Sequence, residues 1–162
     1  MSKTKHIDNE YSIGEAYRYL ANAKETLSKS PIEYGRYTDS KYVREAAGMA
    51  YLAALKAIDV YLISIGLERK VLPKSIDGYW NLIRKKIPLN GKLTASVNTV
   101  YENLHIFAYY RGGVGVEMVK EGFSNAKKII DMLSKLMPET SNRESMVCEP
   151  EVKYRKTKKI NL

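Results

Sequence analysis

SKYVREAAGMAYLAALKAIDVYLISIG, residues 40–66, decides how the rest of the chain is read. Leu55, Ile58, Leu62 and Ile65 recur every three or four residues, the spacing of one helical face. Asp39 or Ser40 supplies an N-cap and Gly66 a stop. Ala46, Ala47, Gly48, Ala50, Ala53, Ala54 and Ala57 place small residues on nearly every face. Neighbours can then approach from several sides, so this helix is expected to be the most buried.

Outward from it, the same period marks three more long helices. Residues 11–28 carry Ile13, Ala16, Leu20, Ala23 and Leu27, opened by the Ser12–Glu15 capping box. Residues 92–110 turn Leu93, Val97, Val100, Leu104 and Phe107 inward. Residues 114–137 carry Val116, Val119, Phe123, Ala126, Ile130, Leu133 and Met137, and Pro138 ends them. A weaker helix, residues 75–86, holds Trp80 between Pro73 and Pro88. No stretch alternates cleanly, and Asn90-Gly91 leads into a helix, so no strand is expected. These elements predict an all-α fold, an antiparallel up-down four-helix bundle with one extra short helix. The bundle spans residues 11–137, after a flexible N-terminus at 1–10. Residues 138–162 lack periodicity and read as a disordered basic tail.

Composition narrows the function. The net charge is +9, but residues 153–162 hold five cations and no acid, leaving +4 for the other 152 residues. The tail can touch phosphates or simply be solvated; the body is only mildly basic. No apolar run approaches the ~18 residues of a bilayer span, and Met1–His6 is followed by no apolar stretch. No membrane association and no signal peptide are expected. Cys148 is the single cysteine, which excludes an internal disulfide and fits a cytoplasmic protein. With two histidines and no His-x-x-x-His, Glu-x-x-His or Cys-x-x-Cys, neither a metal nor an organic cofactor is expected.

Three groups of residues remain as candidate sites. His105 and Tyr109, four apart, share a helix face and lead to Arg111. Asp59 lies on the face of Leu52, Leu55 and Leu62, so it is expected to be enclosed. An enclosed carboxylate needs a donor: Arg111, His105 or a tyrosine hydroxyl. This polar cluster is either a register pin for the bundle or a small site for acid–base or phosphate chemistry. Gly112, Gly113 and Gly115 do not match Gly-x-Gly-x-x-Gly; they suit a helix-to-helix turn, or an anion held at the next helix's N-terminus beside Arg111. Tyr34, Arg36, Tyr37, Tyr42 and Arg44 cluster near the first connection, among thirteen tyrosines in all. Aromatics among arginines suit a protein partner, half-buried packing or stacked single-stranded bases.

The alanine-rich helix ending at Gly66, followed later by Tyr110-Arg111 leading into a last amphipathic helix, resembles the HEPN superfamily of small helical bundles. The resemblance covers roughly residues 10–137 and lies in helix order. It implies a homodimer, a nucleotidyltransferase-type protein partner, or ribonuclease activity on RNA. The family's catalytic motif is an arginine followed a few residues later by a histidine. Arg111 stands in the arginine's place, but Val116, Glu117 and Met118 stand where the histidine would fall. A non-catalytic binding or accessory module is therefore the expectation. The alternative is an RNA-directed enzyme using Arg111 and His105.

Overall fold

The computed structural model describes residues 10–138. The basic tail, His6 and Cys148 lie outside the described residues. The elements are α1 (Ile13–Ser28), β1 (Ile32–Glu33), β2 (Arg36–Tyr37), α2 (Ser40–Ser64), a 3₁₀ turn (Arg69–Val71), α3 (Ile76–Lys86), α4 (Gly91–Val100) continued by a π-helix (Tyr101–Tyr110), and α5 (Val116–Leu136). The all-α fold expected from the sequence is the fold observed. The long helices α1, α2, α4 with its π extension, and α5 form the bundle, and α2 packs against each of the others.

The caps follow from local chemistry. Ser12 Oγ accepts from the Glu15 amide at 3.2 Å, and Asp39 caps α2 by accepting from the Lys41 amide. At the end of α2, Gly66 takes φ +102°. The Leu67 amide then donates to Leu62 O and the Gly66 amide to Ile63 O. That paired closure needs a left-handed residue, which glycine adopts without a Cβ penalty. Six alanines of α2 (46, 47, 50, 53, 54 and 57) are fully or almost fully buried, as small residues on several faces require. Leu52 departs from the expected stripe and is 53% exposed. Contrary to the expectation of no spanning-length run, Ser40–Ser64 is long and apolar enough to cross a membrane. More than half of its most apolar window is buried inside the bundle, as in a core helix.

Two expectations about local structure are corrected. A small antiparallel hairpin pairs Ile32 with Tyr37 and Glu33 with Arg36. Its turn is Tyr34-Gly35, both at positive φ (50° and 70°), the conformation that matches strand twist in a two-residue loop. A bulky residue at positive φ is uncommon, so Tyr34-Gly35 does not read as a turn from residue type alone. The other correction concerns residues 101–110, which form a π-helix instead of continuing α4; the Arg111 amide reaches back five residues to Ile106 O at 2.9 Å. The core positions there are Val100, Leu104 and Ala108, four apart. Phe107, expected to face the core, is only partly buried.

The hairpin docks on the loop between the π-helix and α5. The Tyr37 amide donates to Val114 O, and the Val116 amide to Gly35 O. Arg44 Nη1 caps the π-helix by donating to Tyr109 O at 3.0 Å and Tyr110 O at 3.4 Å. Gly112 permits this: its φ is +72°, and a Cβ there would stand 2.3 Å from Arg44 Nη2. Gly112→Ala therefore meets both left-handed strain and a displaced guanidinium. It should cost about 1–3 kcal/mol and lower the thermal midpoint by several degrees. Gly91→Ala, with nothing within 4 Å of the added Cβ, should leave the midpoint unchanged or slightly raised. Equal melting of the two variants would contradict this account of the loop.

Candidate functional site

The π-helix, α2 and α3 together carry a column of rings. His105 stacks on Tyr51 from α2, with centroids 4.6 Å apart and planes 23° apart. Within the π-helix, Tyr101 and His105 stack at 5.5 Å, and His105 and Tyr109 at 6.0 Å. Trp80 of α3 meets Tyr101 edge-on at 5.6 Å. A helix closed by five-residue hydrogen bonds is wider than an α-helix, and residues four apart come nearly into line. The face shared by His105 and Tyr109 is thus as the sequence placed it. Tyr51, Tyr101 and Trp80 were missed as members of the same column. The four-residue spacing 101–105–109 was legible; the contribution of α2 is tertiary.

Beside the column lies a groove of about 370 Å³, lined by Tyr51, Leu55, residues 73–76, Tyr79, Tyr101 and His105. Asp59 stands behind it. The Tyr79 hydroxyl donates to Asp59 Oδ1 at 2.9 Å, so the expected donor is the tyrosine hydroxyl rather than Arg111 or His105. Burial pushes the Asp59 carboxyl up to about 6, against the opposing pull of the Tyr79 hydrogen bond and of Lys56. Burial also raises the Tyr79 phenol far above its ordinary value, and the Asp59 charge adds to this. Tyr51 is pushed up to about 12, chiefly by burial. The Tyr51 and Tyr79 phenols thus stay neutral at pH 7, while the Asp59 carboxyl ionises only as the pH approaches about 6.

The remaining expected site residues fall elsewhere. Arg111 is exposed, six residues beyond His105 and therefore on another flank of the helix. Among the described residues its guanidinium has no hydrogen-bond or ion-pair partner. The glycine loop is built for packing. The Gly113 amide donates to Phe107 O, and Phe107's ring stands where a Gly113 Cβ would be, 2.4 Å from it. Gly115 bridges to Arg36. The tyrosine–arginine cluster divides. Tyr37 is buried and Tyr34 fully exposed, Arg44 holds the π-helix carbonyls, and Lys29 and Lys41 lie over the Tyr42 ring. Sequence reasoning also passed over Asn103, buried, whose Nδ2 donates to Met118 O at 3.0 Å and Glu121 Oε2 at 3.3 Å. It ties the π-helix to α5.

Asp59 and Tyr79 yield a pH prediction with a definite sign. The folded carboxyl takes up its proton more readily than the unfolded one, so its ionisation opposes folding. The Asp59 contribution to stability is fully present below pH 4 and is lost as pH rises through 4 to 6. The rise of the Asp59 carboxyl to about 6, discounted for its partial exposure, amounts to about 1–2 kcal/mol. Asp59→Asn keeps an acceptor for Tyr79 and removes the ionisation. In urea titrations it should match the wild type near pH 4 and exceed it by about 1–2 kcal/mol at pH 7.5. A wild-type–variant difference that stays constant with pH would contradict the placement.

Comparison with known proteins places this architecture among relatives. A solved structure described as a protein of unknown function from Dyadobacter fermentans is similar at 38% sequence identity and a TM-score of 0.67; the match covers 77% of this chain and 95% of that one. No curated protein matches. A family model described as "Domain of unknown function (DUF5618)" matches residues 11–135, a span that holds the whole groove and nearly all of the bundle. On that match, the chain belongs to the DUF5618 family.

Proposed function

We propose that this protein is a non-catalytic, HEPN-like binding module of the cytoplasm that dimerises and engages a nucleotide-containing partner through the aromatic groove. The observation that carries the reading is the lining itself: Tyr51, Tyr79, Tyr101 and His105 around a space of about 370 Å³, with Lys74 and Ser75 also contributing. Aromatic faces take planar bases with little regard to sequence. An ammonium within reach of the same space suits a phosphate.

Its helix order supports the HEPN likeness, and with it a nucleotidyltransferase-type protein as the partner presenting the nucleotide. A surface for a second copy is offered by Leu52, 53% exposed, with Tyr109, 47% exposed, against Gly48 one turn earlier on α2. Large apolar side chains grouped on a helix face favour association. The ribonuclease alternative asks Arg111 and His105 to act on one phosphate. Their placement on different flanks, with His105 stacked between rings, gives that chemistry less support.

Titration with adenosine 5′-monophosphate, followed by Trp80 fluorescence, tests the reading. Saturable binding is expected, weakened about 5- to 100-fold by Tyr101→Leu, the range of one stacking contact. Lys74→Gln should weaken the nucleotide but not adenosine. Light scattering should give twice the 18.5 kDa chain mass. Absence of saturable binding, or cleavage of labelled RNA that Arg111→Ala abolishes, would overturn the proposal.

A further inference from the structure

A second cavity, of about 660 Å³, lies between α1 and α5 and shares no residue with the aromatic groove. Its two walls repeat one pattern. Lys24, Leu27 and Ser28 follow helical spacing on α1, and Lys120, Phe123, Ser124 and Lys127 do the same on α5. Tyr37, from the hairpin, closes one end. The floor is apolar and firmly packed, with Leu27, Tyr37 and Phe123 each less than 10% exposed. The walls carry three lysines and no acid.

The pairing of those lysines is unequal. Lys127 is held at 2.7 Å by Asp131, which also accepts from the Tyr17 hydroxyl. Among the described residues, Lys24 and Lys120 have no acidic partner. The cavity thus combines a buried apolar floor with two unmatched ammonium groups on facing helices. Its volume falls within the range of small-molecule sites, which are mostly apolar with a few convergent polar groups.

We propose that this cavity is a binding site for a small organic anion with an apolar body, in class a medium-chain carboxylate. The alkyl part lies on Leu27, Tyr37 and Phe123, and the carboxylate is shared between Lys24 and Lys120. Neither a neutral alcohol nor a cation of the same length has that complement, so the site should discriminate by head group as well as by length.

The test is a nitrogen–proton NMR titration with decanoate below its micelle concentration. Shift changes should cluster at the amides of residues 24–30 and 120–127. Shortening the chain by two methylenes should weaken binding about tenfold. Decanol should bind at least tenfold more weakly than decanoate, and so should decanoate to the Lys24→Gln/Lys120→Gln double variant. Both lysines are exposed, so that variant should melt like the wild type. Scattered shifts, equal binding of decanol, or unchanged affinity in the double variant would overturn the proposal.

Discussion

The close approach that alanine allows around α2 is the constraint on which the remaining structure depends. Six buried alanines leave α1, α5 and the π-helix to pack directly against one central helix. Larger side chains there would hold these neighbours apart, and an interior packed at crystalline density has no slack to absorb them. The column of rings inherits this closeness. Tyr51 can lie 4.6 Å from His105 only because its helix and the π-helix approach so nearly, and Tyr109 rests 3.1 Å from the position a Gly48 Cβ would take.

The π-helix is the second consequence. Its carbonyl end is not left to solvent: Arg44, reaching from α2, takes the last two carbonyls, and Gly112 leaves the space for the guanidinium. The hairpin then pairs with the following loop and fixes where α5 begins. One central helix therefore supplies the packing surface, a ring for the column and the cap for its partner. Asn103 adds a buried polar tie from the π-helix to α5.

Most of the fold was legible in the sequence because apolar period and capping residues are local. The Ser12 cap of α1, the Gly66 stop and the buried alanines all stand where the pattern put them. What escaped depends on tertiary context. Leu52 satisfies the helical period but faces outward, because the neighbours of α2 cover its other sides. The Tyr34-Gly35 turn lacks the usual residue pair, and the π-helix keeps an apolar spacing that an α-helix also satisfies. At the site, the sequence brought His105 and Tyr109 together and required a donor for Asp59, but could not choose Tyr79 among the possible donors. It grouped Arg111 with Asp59 as a possible donor to an enclosed carboxylate, whereas the fold sets the arginine in the open.

The ring column is held by the packing of α2 against the π-helix, and proton NMR of the histidine ring tests this most directly. His105, identified by its loss in His105→Gln, should show upfield-shifted ring protons and cross-ring Overhauser effects to Tyr51, as centroids 4.6 Å apart require. His105 ring protons at the shifts of a solvated imidazole, with no contact to Tyr51, would contradict it.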